Sequence, residues 1–214
     1  MHAGWARPAE HVTRRAGLAR RGRLLQWATI GWNSAEGLVA VASGLVAGSV
    51  ALVGFGFDSA IEVASSLAAL WRLHRDADEA VRERAERRAL RVIGLCFLAL
   101  AGYVAWAAIE SLVRQQAPER SAVGIVVAAA SLVAMPLLVR LKRRVARDLG
   151  SGALEAEARQ TAACAWLSAI LLAGLALNAG LGWWWADPVA ALLMIPLIGK
   201  EGWDAVRGRT CCED

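Results

Sequence analysis

Asp58 and Glu62 stand four residues apart in the run Gly54-Phe55-Gly56-Phe57-Asp58-Ser59-Ala60-Ile61-Glu62-Val63-Ala64-Ser65-Ser66. The segment is apolar enough to cross a bilayer. Positions i and i+4 share one face of a helix. Gly54 falls one turn before the pair and Ser65 and Ser66 about one turn after, so that face is small and polar. Val53, Phe57, Ile61, Val63 and Leu67 occupy the other faces. An acid at mid-membrane costs roughly 2.5–3.5 kcal/mol on insertion scales, so two together need a compensating cause. A bound cation, a bound proton or hydrogen bonds from a neighbouring helix would each supply one. Two acids on one face favour the cation, since intramembrane acids mark ion routes by default. The plainer alternative is a pair of protonated carboxyls that only bridge helices.

Further polar residues interrupt other apolar segments. Gln160 and Cys164, again i and i+4, lie near the start of a later apolar run, and Asn33 and Glu36 lie about one turn apart in an earlier one. Carboxylate oxygens from Asp58 and Glu62, a thiolate from Cys164 and a carbonyl oxygen from Gln160 make a mixed O and S set. Such a set suits zinc, cobalt or iron better than magnesium or calcium. Zn2+ is the expected ion, with Co2+ or Fe2+ as alternatives. His2, His11 and His74 all fall outside the apolar segments, a departure from the usual zinc site. Glu36 and Asn33 are expected to contribute to the site or to bond helix to helix. Cys164 has a bland reading as a packing residue, the usual role of a lone cysteine in an apolar helix.

Those residues must be held by membrane helices. Of the 214 residues 57% are hydrophobic, and the mean hydropathy is +0.42, beyond the 45–50% or so apolar content of soluble domains. Between Leu24 and Trp71 no lysine or arginine occurs. At about 20 residues per span that is two helices, broken at Ala47-Gly48-Ser49. Gly44 and Gly48 have a spacing that permits close helix contact. The expected fold is all-α, a polytopic membrane protein with a six-transmembrane-helix bundle. Its spans are 24–46, 49–71, 92–113, 121–139, 154–181 and 186–206, with a basic cytoplasmic arm over 1–23 and a short cytoplasmic tail over 207–214. Pro136 is expected to kink the fourth span. Asp187-Pro188 reads as a helix entry, and Trp183-Trp184-Trp185 as an interfacial belt. Arg72 to Arg91 reads as a solvated helical connection, and Gly150-Ser151-Gly152 as a hinge.

Charge fixes the orientation. Of the 24 lysines and arginines only Arg114 and Arg120 fall on one side of this layout. Both termini are therefore expected in the cytoplasm, in the inner membrane of a cell. The net charge of +5 sits between apolar runs, as a membrane protein requires, so no nucleic-acid partner is expected; the bilayer is the partner. The four cysteines show no framework spacing, and no cleavage site closes a short apolar core, so no removable signal peptide is expected.

The whole pattern resembles the cation diffusion facilitator family over about Leu24 to Val206. Gly48-Ser49-Val50-Ala51-Leu52 with Asp58-Ser59-Ala60-Ile61-Glu62, and Trp185-Ala186-Asp187-Pro188-Val189-Ala190-Ala191, carry the likeness best. Gly54-Phe55-Gly56-Phe57-Asp58 also looks like the vesicular zinc-binding transmembrane proteins of animals. The resemblance implies a metal pair on the second helix at Asp58 and Glu62, and a pair on the fifth at Gln160 and Cys164. That second pair departs from the family's histidine or aspartate. The resemblance further implies metal efflux coupled to inward protons, commonly in a homodimer. No counterpart of the family's cytoplasmic metal-sensing domain is expected after the sixth span, where Cys211 and Cys212 stand.

The expected function is thus a divalent metal cation transporter that exports zinc-like ions from the cytoplasm by proton antiport. The alternative is a non-transporting membrane protein that binds metal or scaffolds a complex. An enzyme is not expected, because no nucleophile–base pair or zinc-protease spacing is present.

Overall fold

A computed structural model describes residues 7–73, 79–150 and 152–207. His2, His74, Cys211 and Cys212 lie outside them. Among the described residues the chain is six helices and no strand: α1 (Arg7–Ala47), α2 (Val50–Leu73), α3 (Glu79–Val113), α4 (Ala122–Leu149), α5 (Gly152–Leu181) and α6 (Ala186–Val206). It is an all-α membrane bundle. Val50–Ala68, Leu90–Val113, Ala122–Leu149 and Glu157–Leu181 are each long and apolar enough to cross a bilayer. The remaining two helices, α1 and α6, pack against these four.

Several helices run well past the apolar stretch that marks them in the sequence. The basic arm expected over 1–23 is helical from Arg7, so α1 has 41 residues and reaches roughly 60 Å at 1.5 Å per residue. Arginine, alanine, glutamate and leucine are good helix formers; Pro8 falls in the first turn, where its missing N–H is tolerated, and Gly17 and Gly22 weaken the helix without stopping it. Likewise α4 continues through Arg140–Arg147 to Leu149, where Gly150 ends it in the left-handed region at φ 63°, as a glycine cap does.

Packing has α2 at its centre. It touches α1, α3, α5 and α6, while α4 lies along α5 and α1, and α3 along α6. Leu52, Phe55, Met135, Leu167, Leu171, Met194 and Ile198 form the fully buried apolar core. Two close approaches set the helix spacing. A Cβ on Gly44 of α1 would lie 2.9 Å from the Val53 amide nitrogen, and one on Gly56 of α2 would lie 2.8 Å from that of Val41. The backbones of α1 and α2 therefore approach closely at these glycines, with Val53 and Val41 folded against them, the small-residue contact that membrane helices use. Gly48 does not extend this seam as its spacing suggests. It makes the tight turn after α1 at φ +66°, with open space where its Cβ would be. Gly54 likewise leaves the acidic face and abuts Val104 of α3.

Polarity is inverted relative to a water-soluble bundle. Trp106, Trp166, Leu38, Val46, Val126 and Val133 face outward, whereas Asn33, Glu36, Asp58, Glu62, Lys142, Glu157 and Asp187 are buried. Charged groups in a membrane helix face the bundle interior or a cavity, because lipid cannot solvate them.

Candidate metal-ion site

The acids on α2 both turn inward. Asp58 is 5% exposed and Glu62 3%. At 1.5 Å per residue from Val50 they lie about 12 and 18 Å into the bundle. From the opposite end, Gln160 and Cys164 lie about the same depths into α5, and α2 packs directly on α5. The two i, i+4 pairs, 98 residues apart at their nearer ends by position, therefore meet. Asp58, Glu62, Gln160 and Cys164 all line one small cavity, about 10 Å³, with Phe97, Ala163, Leu167, Leu197, Ile198 and Glu201. That is space for about one water molecule or one dehydrated ion.

Hydrogen bonds order part of this lining. The Ser65 hydroxyl donates to Gln160 Oε1 at 3.1 Å, joining α2 to α5 at the inner end of the cavity. Thr161 Oγ1 lies 3.0 Å from Glu62 Oε1. Glu62 Oε2 has no hydrogen-bond partner. Cys164 is 2% exposed and stands within electrostatic reach of Glu62 and Asp58. Ser66, on the same α2 face as Ser65 in the sequence pattern, is also buried.

Asn33 and Glu36 sit elsewhere in the same polar interior. Glu36 accepts a hydrogen bond from Ser59 of α2 at 3.1 Å and another from Ser131 of α4. Both its oxygens are thereby occupied, and it ties three helices together. Asn33 is fully buried, and neither its amide oxygen nor its nitrogen has a hydrogen-bond partner. Neither residue lines the cavity.

One lining residue escapes sequence reasoning. Glu201 lies near the inner end of α6, among Lys200, Trp203 and Asp204, and so reads as an interfacial acid. The close approach of Gly94 on α3 to Gly202 on α6 seats that end of α6 in the bundle: a Cβ on Gly94 would lie 2.6 Å from the Gly202 carbonyl oxygen. Glu201 is then half-buried, lines the cavity and acts electrostatically on Asp58. The glycine pair is the only sequence signal that could have pointed to it.

Three carboxyl groups around one small space, when ionised, repel one another strongly in a medium of low dielectric constant. A divalent cation is the natural neutraliser for such a lining. Even so, among the described residues no three of His, Cys, Asp and Glu stand close enough together to enclose an ion. The lining groups converge on the cavity without closing over it, so holding an ion requires side chains to rotate inward.

Comparison with known proteins fits this geometry. Residues 27–208 match the cation efflux transmembrane domain. An uncharacterized transporter of Synechocystis sp. is 28% identical over 153 residues, 69% of this chain and 49% of the relative. The cation-efflux pump FieF of Shewanella oneidensis is 32% identical over 95 residues, 44% of this chain and 32% of the relative. The matched part of the chain thus spans half or less of the length of these relatives. With the transmembrane-domain match running through all six helices, the chain belongs to the cation efflux family.

Proposed function

We propose that this chain carries a divalent metal cation across the membrane, seated between α2 and α5. The observation behind this reading is the single buried cavity to which Asp58, Glu62, Gln160 and Cys164 all contribute. Asp58 and Glu62 are the primary ligands. Cys164 adds a soft sulfur and Gln160 a neutral oxygen once Ser65 releases it. Glu201 lines the inner approach to the same cavity from α6. Glu36 and Asn33 lie outside the cavity, and their part is to shape the polar interior beside it.

The donor set favours a borderline ion, Zn2+ first and Co2+ or Fe2+ next, because carboxylate and thiolate ligands together suit these ions better than Mg2+ or Ca2+. Carboxylates and thiolates bind metal only after losing their protons, so metal and proton compete for the same atoms. That competition is the physical basis for inward protons driving metal outward. The lysine and arginine asymmetry supports an inner-membrane protein with both termini in the cytoplasm, and export is the direction that the cation efflux likeness implies. A homodimer is the expected assembly for this family.

The test is metal flux in proteoliposomes loaded with a zinc-sensitive dye, with and without a pH gradient. Asp58→Ala should abolish Zn2+ flux while the protein still folds. Unchanged flux would end the proposal. Tight binding without saturable flux would instead favour a metal-binding or scaffolding membrane protein.

A further inference from the structure

Lys142 is the basic residue that does not fit the inner rim of α4. Arg140, Arg143, Arg144 and Arg147 line an open cleft with Glu155, as positive residues at a membrane edge do. Lys142, on the other face of the helix, is 1% exposed and points between α4 and α5. Its Nζ donates to Thr161 Oγ1 at 3.0 Å and lies 3.5 Å from Glu157 Oε2. Thr161 is fully buried, and the same Oγ1 lies 3.0 Å from Glu62 Oε1 and 3.0 Å from the Glu157 carbonyl oxygen.

Proton bookkeeping gives this chain a direction. An ammonium group can only donate, and a hydroxyl has one hydrogen to give. Thr161 Oγ1 therefore accepts from Lys142 and has a single proton for two acceptors. The Glu157 carbonyl already takes the helical bond from the amide four residues on. A carboxylate oxygen is the stronger acceptor, since hydrogen bonds to charged groups are shorter and about twice as strong as neutral ones. The proton goes to Glu62 Oε1, and Lys142, by polarising the hydroxyl, strengthens that bond.

We infer that Thr161, held by Lys142, is a positioning residue that presets Glu62 as a one-oxygen ligand for the ion. This rests on the cation reading of the cavity. Thr161 fills Oε1 and fixes the rotamer, which leaves Oε2, the oxygen with no partner, for the cation. Lys142, ion-paired with Glu157 at 3.5 Å, holds Thr161 from behind without taking the ion's seat. Partners that orient a metal's ligands in this way typically matter by 10–100-fold in metal affinity.

The experiment is Zn2+ and Co2+ titration of the full chain in nanodiscs, with the Co2+ absorption bands recorded. Thr161→Val keeps the side chain's shape and removes the hydroxyl; the dissociation constant should rise about tenfold and the Co2+ bands should shift. Thr161→Ser, which restores the hydroxyl, should bind within about threefold of the parent, a rescue that a packing role for the γ-methyl would not give. If Thr161→Val does not fold, Lys142→Met takes its place, because it keeps the length of the side chain and removes the donor to Thr161; its dissociation constant should also rise. Parent-like binding by whichever variant folds, with binding lost in Asp58→Ala, overturns the inference and leaves the cation site standing. Parent-like binding in Asp58→Ala as well overturns the site itself.

Discussion

Asp187, in the first turn of α6, caps the start of α2 from 138 residues away, accepting the hydroxyl of Ser49 on one carboxylate oxygen. Its other oxygen accepts the Val50 amide at 3.0 Å and lies 3.5 Å from the Ala51 amide. Ser49 in turn accepts the Leu52 amide at 3.1 Å. The free N–H groups that begin α2 would otherwise be buried without partners, and a carboxylate there also meets the positive end of the helix dipole. The two stretches that carry the family likeness best, Gly48-Ser49 and Asp187-Pro188, are thus the two halves of one contact. It fixes where α2 starts, and so the depth at which Asp58 and Glu62 lie.

Asp187→Ala should therefore destabilise the bundle without touching the cavity. Removing the acceptor strands the Ser49 hydroxyl and the α2 amides, a loss of about 1–3 kcal/mol for a buried donor left unsatisfied. Asp187→Asn, which keeps one acceptor oxygen, should lose less. Thermal unfolding in detergent, followed by tryptophan fluorescence, measures both. Equal stability in the alanine variant and the parent would mean that water or another group caps α2.

The α1–α2 seam gives a second expectation. A methyl on Gly56 would lie 2.8 Å from backbone nitrogen and 3.0 Å from the Gly37 carbonyl oxygen, atoms that cannot swing away as a flexible side chain can. Gly56→Ala should cost about 1–3 kcal/mol, the usual range for overpacking, and should lower flux by displacing α2. Gly180→Ala, where no atom stands within 4 Å, should be neutral or slightly stabilising, since alanine is the better helix former. Unfolding temperatures of the two variants should move in opposite directions or differ plainly in size.

Much of this arrangement was legible in the sequence, and for stated reasons. Apolar runs and the lysine and arginine asymmetry marked the bundle, because lipid punishes exposed backbone and charge severely. The i, i+4 spacing put Asp58 with Glu62 and Gln160 with Cys164, since helical periodicity is local. What stayed hidden depends on tertiary packing. Nothing local distinguishes Glu201 from other acids at a helix end, or Lys142 from the arginines around it. Only the rotation of α6 and α4 about their axes decides which of them faces in. For Glu36 the sequence leaves two readings open, the site or a helix-to-helix bond, and packing puts serines of two neighbouring helices on both its oxygens.

Cys164 should decide ion preference. Its thiol is buried in the cavity lining, and sulfur favours softer ions. Cys164→Ser replaces it with a hard oxygen of similar size. Competition titrations should then show Zn2+ and Cd2+ losing about tenfold or more relative to Mn2+. If the cysteine only fills space, the ratio between these ions will not change, whatever happens to stability.

Glu201 should act at the approach to the site from the inner end. It is about one turn beyond the depth of Glu62, roughly 22 Å along α6 from Ala186, and it is half-buried where Asp58 and Glu62 are fully buried. An ion arriving from that side would meet Glu201 before the deeper acids, and its charge would raise the local cation concentration. Glu201→Gln keeps the shape and removes the charge. The half-saturating Zn2+ concentration for flux should rise about tenfold while the maximal rate changes little, and Glu201→Asp should recover most of the loss. Glu110→Gln is the matched control, because Glu110 pairs with Arg114 at 2.9 Å near the far end of α3 and lies off the cavity; it should leave both constants unchanged. A fall in maximal rate at unchanged half-saturation would place Glu201 in the moving parts of the transporter and remove it from the path of the ion.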